Sequence, residues 1–253
     1  MKFSLRILAA ALMTGATACG SASASDMYSM RPGGYTDSQT NWAGTYFGAH
    51  LGGASATDAV SDINGAWCPT AHVGCSYSNN AQGLLLGVQF GYNIQYAHYV
   101  LGPELDFGYM DLTNTKPAPG YTLSDASSAL SGGFYTAVTG RMGYDFAGAL
   151  VYAKGGYANF GGKLSNYSSD AGYSVGTSGI SGWTLGGGAE YKINSSWSVK
   201  VEYLYFDFGK VTNTFPASSS CGGVPCTFEN NLTANSVKLG INVNISTAGA
   251  PME

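Results

Sequence analysis

From Ala234 to Ile245 the chain alternates without a break. Val237, Leu239, Ile241, Val243 and Ile245 fall on one side; Ser236, Lys238, Gly240, Asn242 and Asn244 fall on the other. A period of two this strict marks a β-strand with one apolar and one polar face. The pattern recurs about eight times, and no apolar run is long enough for a membrane-spanning helix. Only 10% of residues are charged, against roughly 25% in ordinary soluble domains. A repeated apolar face with so little charge points to lipid outside and polar groups inside a closed sheet.

The alternation places eight strands, at Trp42–Gly53, Leu84–Gln95, Tyr99–Asp111, Phe134–Phe146, Ala149–Phe160, Trp183–Asn194, Trp197–Phe208 and Ala234–Ile245. Their connections alternate in length. Short turns fall near Tyr96-Ala97-His98, Ala147-Gly148 and Asn194-Ser195-Ser196, whereas 54–83, 112–133, 161–182 and 209–233 are long and rich in Ser, Gly, Asn and Thr. This predicts an all-β, eight-stranded antiparallel up-and-down transmembrane β-barrel with short periplasmic turns and four long extracellular loops. A soluble β-sandwich would share the short strands but not the two-sided rule of loop lengths.

The N-terminus fits export. Lys2 and Arg6 precede the apolar run Ile7–Met13, and Ala22-Ser23-Ala24 supplies a small-residue cleavage site, so 1–24 reads as a signal peptide. The alternative, a lipid on Cys19, lacks the large aliphatic residue usually found three positions earlier. Residues 25–40 form an aperiodic flexible lead-in, 41–246 the barrel and 247–253 a C-terminal tail. Without Lys2 and Arg6 nine bases face 15 acids, a net charge of −6, which excludes a basic nucleic-acid footprint.

Parity puts nearly every strand charge on the inward face: Glu104, Asp106, Glu190 and Glu202, with Arg141, Lys154, Lys192, Lys200 and Lys238. Eight strands enclose only enough room for side chains to fill. Buried charges there need partners. The favoured reading is a salt-bridged plug that rigidifies the barrel; the other is a selectivity lining for a small-solute pore.

After signal removal four cysteines remain, an even number that in an exported protein favours disulfides. The simplest pairs are Cys68–Cys75 and Cys221–Cys226, although cross-loop pairing is open because the first and last strands meet when a barrel closes. A zinc site lacks standard ligand spacing, since only His72 lies among the cysteines. Catalysis finds no support: His50 is inward, His98 lies in a short turn, and no Gly-x-Ser-x-Gly elbow or phosphate loop is present. No cofactor and no catalytic residue are expected.

The segments Asn41–Gly48, Gly182–Tyr191 and Trp197–Gly209 resemble the small outer-membrane β-barrel family, the porin-family or opacity-like group of alphaproteobacteria, which is similar to the OmpA transmembrane domain. The resemblance spans Trp42 to Ile245. It implies a bacterial outer-membrane location, lipid as the main partner, support of envelope integrity, and loops that meet host or environmental surfaces. Haem capture by some members would here fall to His72 and loop tyrosines. Aromatic contact points in the loops would come from Tyr121, Tyr167, Tyr173, Phe215 and Phe228. Such barrels usually end on an aromatic residue, whereas here Ile245 is followed by Ser246–Glu253. Oligomeric state is left open.

Overall fold

When successive side chains must face opposite media, the backbone has to be extended, and most of the described residues take that form. The computed structural model describes residues 40–64, 76–169, 172–216 and 225–245. The strands are β1 (Gly44–Asp62), β2 (Ser76–Tyr96), β3 (Tyr99–Met110), β4 (Asn114–Pro117), β5 (Ala126–Ser131), β6 (Gly133–Phe146), β7 (Ala149–Ser168), β8 (Tyr173–Lys192), β9 (Trp197–Phe215) and β10 (Cys226–Asn244). The expected signal peptide, most of the lead-in and the C-terminal tail lie outside the described residues.

Every pairing is antiparallel. The ring runs β7-β6-β3-β2-β1-β10-β9-β8, and it closes because β8 also pairs with β7. The β1–β10 seam extends from Tyr46↔Asn244 to Asp62↔Phe228. β3 and β4 follow one another along one stave of the ring. β5 and β6, separated by Gly132, form another, since both pair with β7. Counted this way the ten segments make eight staves.

The short turns lie where the spacing predicts. Ala97 and Ala147 sit at positive φ, 49° and 53°, as two-residue hairpin loops require to match the strand twist. The third turn is held by Asn194, whose Oδ1 accepts from the backbone N–H of Ser196 and of Trp197, both at 2.9 Å.

The four stretches expected to be long loops are mostly strand, and the reason is an inversion of the two faces. Low on β10 the outward residues are Val237, Leu239 and Ile241 and the inward ones Lys238 and Asn242. Higher up, Asn235, Thr233, Asn231 and Glu229 lie on the outer side while Ala234, Leu232 and Phe228 are buried. β1 does the same: Phe47 and Leu51 are exposed below, whereas Ser55, Thr57 and Ser61 share the outer face above, over buried Ala54, Ala56 and Val60. A barrel leaving lipid for water has to exchange the roles of its faces. A search for a continuing apolar outer face therefore stops at the membrane boundary. Bulges lie near that boundary, between Asn231 and Thr233 opposite Gly209 (φ 68°), and between Phe160 and Lys163 opposite Gly179 (φ 70°). They re-aim the strands for the new inner face.

The interior is filled in layers. Nearest the short turns lie Trp42, Val100, Leu150 and Tyr152. A charged layer follows, then an apolar layer built around Leu85, Met110, Leu130, Phe160, Phe206 and Phe208. Above it come a polar layer and an apolar cap in which Phe215 and Phe228 meet edge to face at 5.9 Å. Outside, exposed Tyr96, Tyr99, Tyr191 and Trp197 ring the short-turn end, and Phe134, Tyr157, Trp183 and Tyr203 ring the other. Such aromatic girdles belong at membrane–water boundaries.

Truncating the inner apolar layer removes contacts that lipid cannot replace. Phe206→Ala should destabilise the refolded barrel by about 3–5 kcal/mol, and the outward Val199→Ala by far less, as read from urea unfolding in phospholipid vesicles.

Candidate functional site

The most concentrated chemistry lies at membrane level inside the barrel. Period two places Glu104 and Asp106 of β3 on the same inward row, and likewise Lys200 and Glu202 of β9. Arg141 comes from β6, Lys154 from β7, Glu190 from β8 and Lys238 from β10; none of the eight is more than 3% exposed.

Lys154 is the hub. Its ammonium pairs with both Glu104 and Asp106 and lies 3.4 Å from Glu202. Lys200 Nζ lies 3.2 Å from Glu104 and 3.5 Å from Glu202. Lys238 Nζ lies 2.7 Å from Glu202 and 3.3 Å from Asp106. Arg141 Nη1 reaches Glu190 at 3.0 Å and Glu104 at 3.5 Å. Arg141 and Lys154 are direct cross-strand neighbours, a like-charge juxtaposition that is unfavourable alone. Acids from the staves on either side answer it, Glu104 and Asp106 from β3 and Glu190 and Glu202 from β8 and β9, so the charges make sense only once β8 closes onto β7.

Neutral groups complete the cluster. Tyr46 donates to Glu104 and Tyr152 to Glu202, the latter at 2.8 Å. The Arg141 guanidinium lies 4.6 Å over the Tyr46 ring and 5.0 Å over that of Tyr152, a favourable arrangement for a delocalised cation. Arg141 Nε donates to Asn93 at 3.1 Å, and Asn242 donates to Glu190 at 2.7 Å. His50 is held between Gln89 and Tyr135, the latter at 2.7 Å. Tyr46, Tyr152, Tyr135, Gln89, Asn93 and Asn242 carry no charge, so a reading of strand charges alone does not single out these residues. They share the inward parity of the charges, and that parity was the signal that could have found them.

Lys192 is not drawn into this cluster. It stands at the short-turn rim, partly exposed, with Nζ 5.2 Å over the Trp42 ring and 3.4 Å from the Ser195 carbonyl oxygen. At the other end, Phe215 and Phe228 are 2% and 0% exposed. They are packed inside the wall rather than offered to a partner, because their strands continue where loops were expected. Tyr121 is 37% exposed near the outer rim. Cys226 is disulfide-bonded. Cys68, Cys75, Cys221 and His72 lie outside the described residues.

Glu104, Asp106 and Glu202 each bring a carboxylate oxygen within 4.8 Å of the others, a grouping that needs positive charge. Lys154 supplies it to all three. Chemically the cluster is a closed set of ion pairs: each carboxylate is committed, and the imidazole of His50 has hydrogen-bonding partners on both nitrogens.

A model of the outer membrane protein β-barrel domain matches residues 8–247. The 31 kDa outer-membrane immunogenic protein of Brucella melitensis is 33% identical over 216 residues, covering 80% of this chain and 83% of the relative. The 22 kDa outer membrane protein of Rhizobium leguminosarum is 28% identical over 201 residues, 79% of each chain. Among solved structures, the outer membrane protein OprG of Pseudomonas aeruginosa matches with a TM-score of 0.55 at 14% identity, over 81% of this chain and 98% of that one. At that identity the likeness concerns the fold.

Breaking one side of a buried ion pair strands the other charge, typically at a cost of about 3–5 kcal/mol. Lys154→Met should therefore destabilise the barrel on that scale in urea titrations. Lys192→Met, at the rim, should change stability by less than about 1 kcal/mol.

Proposed function

Because the chain belongs to the outer membrane protein β-barrel family, we propose that it works as a scaffold of the envelope rather than a conduit, holding a rigid outer rim above the membrane. Its location is the bacterial outer membrane and its surrounding partner is lipid. The observation that carries the proposal is the filling of the interior. At membrane level the lumen is occupied by mutually paired charges, and immediately above it by a layer of close-packed leucine, methionine and aromatic side chains. An ion crossing that layer would shed its hydration with no polar group to replace it.

The charged cluster serves in this reading as a plug. Eight staves leave room for side chains but not for water, and ion pairs spanning opposite walls cross-brace the ring. The protein is not an enzyme in this account, since its buried acids and His50 are engaged in structural bonds. The surface function rests with the outer extension, whose strands present polar outward faces beyond the lipid. The Brucella relative is named for its immunogenicity, which accords with a family whose rims are displayed outside the cell. The cysteines would fasten two outer connections through Cys68–Cys75 and Cys221–Cys226, each small ring contributing roughly 2–3 kcal/mol in the chain-entropy description.

Two measurements test these statements. Folded, heat-modifiable protein in a planar bilayer should be electrically silent; reproducible conductance steps altered by Glu104→Gln or Lys200→Gln would replace the scaffold with a pore. Non-reducing peptide mapping should recover both local disulfides, and a peptide joining Cys68 to Cys221 or Cys226 would overturn that pairing.

A further inference from the structure

Lys192 is the inward-parity base that the plug leaves out, and the acids near it are already committed. Glu190 accepts from Arg141 Nη1 at 3.0 Å, from Asn242 Nδ2 at 2.7 Å and from the Ser198 hydroxyl. Asp145 accepts from the Trp42 indole at 3.0 Å, and from the backbone N–H of Thr40 at 3.1 Å and of Gly148 at 2.9 Å. Among the described residues Lys192 therefore has no ion-pair partner, and it is the one lysine or arginine at the short-turn end. An ammonium carries three donors. The single hydrogen bond it makes, to the Ser195 carbonyl oxygen, is long at 3.4 Å.

That ammonium borders a basin of about 630 Å³ in the mouth of the barrel. One wall is the segment ahead of β1, where Thr40 is pinned by Asp145 and by Gln95, whose Nε2 donates to the Thr40 carbonyl at 2.9 Å. Another wall is the β8–β9 turn. There Asn194 spends its Oδ1 on the N–H groups of Ser196 and Trp197, which leaves its Nδ2 to donate elsewhere. Ser195 and Ser196 are exposed and line the same basin. Among the described residues no carboxylate lines it. A cation without a counter-charge, flanked by hydroxyl and amide donors, is the chemistry of an oxyanion site.

The lip of the basin decides the source of the anion. Tyr191 and Ile245 border it, and both have the parity of the lipid-facing side, 59% and 63% exposed. Tyr191 belongs to the aromatic girdle that marks the membrane–water boundary. The anions concentrated at that level are phospholipid phosphates, tethered to acyl chains that such residues can cover. We propose that the basin seats the phosphate of a phospholipid of the periplasmic leaflet. Lys192 supplies the counter-charge, Asn194 Nδ2 and the hydroxyls of Ser195 and Ser196 donate hydrogen bonds, and the acyl chains run outward past Tyr191 and Ile245. A lipid held this way fixes the depth of the short-turn end in the leaflet, whether or not the lumen conducts.

The test uses the full-length protein refolded in nonionic detergent. Trp42 is a built-in reporter, because Lys192 Nζ lies 5.2 Å over its ring. Its indole N–H resonance is assigned by its loss in Trp42→Phe. Titration with dihexanoylphosphatidylglycerol should move that resonance saturably, whereas dihexanoylglycerol, which lacks the phosphate, should not. Lys192→Met should weaken the apparent affinity at least about tenfold, the worth of one charge-assisted bond, and Lys192→Arg should retain it. The double substitution Ser195→Ala and Ser196→Ala should weaken binding while keeping the charge, and it carries the test if Lys192→Met fails to refold. No saturable shift, or one that survives both the lysine and the serine substitutions, overturns the site. Inorganic phosphate that matches the lipid in affinity overturns the assignment to a phospholipid.

Discussion

Water's absence from the hydrocarbon core is the constraint from which this structure follows. Each backbone N–H and C=O within the membrane must find a partner in the protein, and a sheet can provide that only by closing on itself. The β1–β10 and β7–β8 ladders make the closure. Once the ring exists, its outer face must be apolar. Period two then sends the polar residues inward, into a lumen too narrow to hydrate them.

The charged layer is the consequence of that confinement. Four acids and four bases converge from six staves and neutralise one another across the lumen. Pairing of buried charges is weak evidence of net stability against an apolar alternative. Its clearer effect is specificity, because a strand slipped by one residue would turn its charges into lipid. The plug thus fixes register as well as filling space.

Above the membrane the constraint reverses, and the same eight staves continue as a barrel of soluble type. Apolar side chains turn inward and polar ones outward, with bulges at the changeover. Among the described residues the outer rim is consequently largely a continuation of the sheet. This rigid rim is the part of the molecule available to whatever the cell meets. It also encloses the buried polar layer in which Asn230 donates to Asp58.

The sequence by itself determined the sheet, its eight staves, the short turns and the inward parity of Glu104, Asp106, Arg141, Lys154, Glu190, Lys200, Glu202 and Lys238. All of these follow from local alternation against a single outer solvent. It did not determine how far the strands extend, because beyond the boundary the alternation carries the opposite sign and resembles a polar loop. Phe215 and Phe228 were misplaced for that reason. Nor did it determine which charges meet: Lys154 and Glu104 are 50 residues apart, and Lys192, of the right parity, is at the wrong height. Parity is a property of two successive residues, whereas depth along the barrel and partnership across it exist only after the ring has closed.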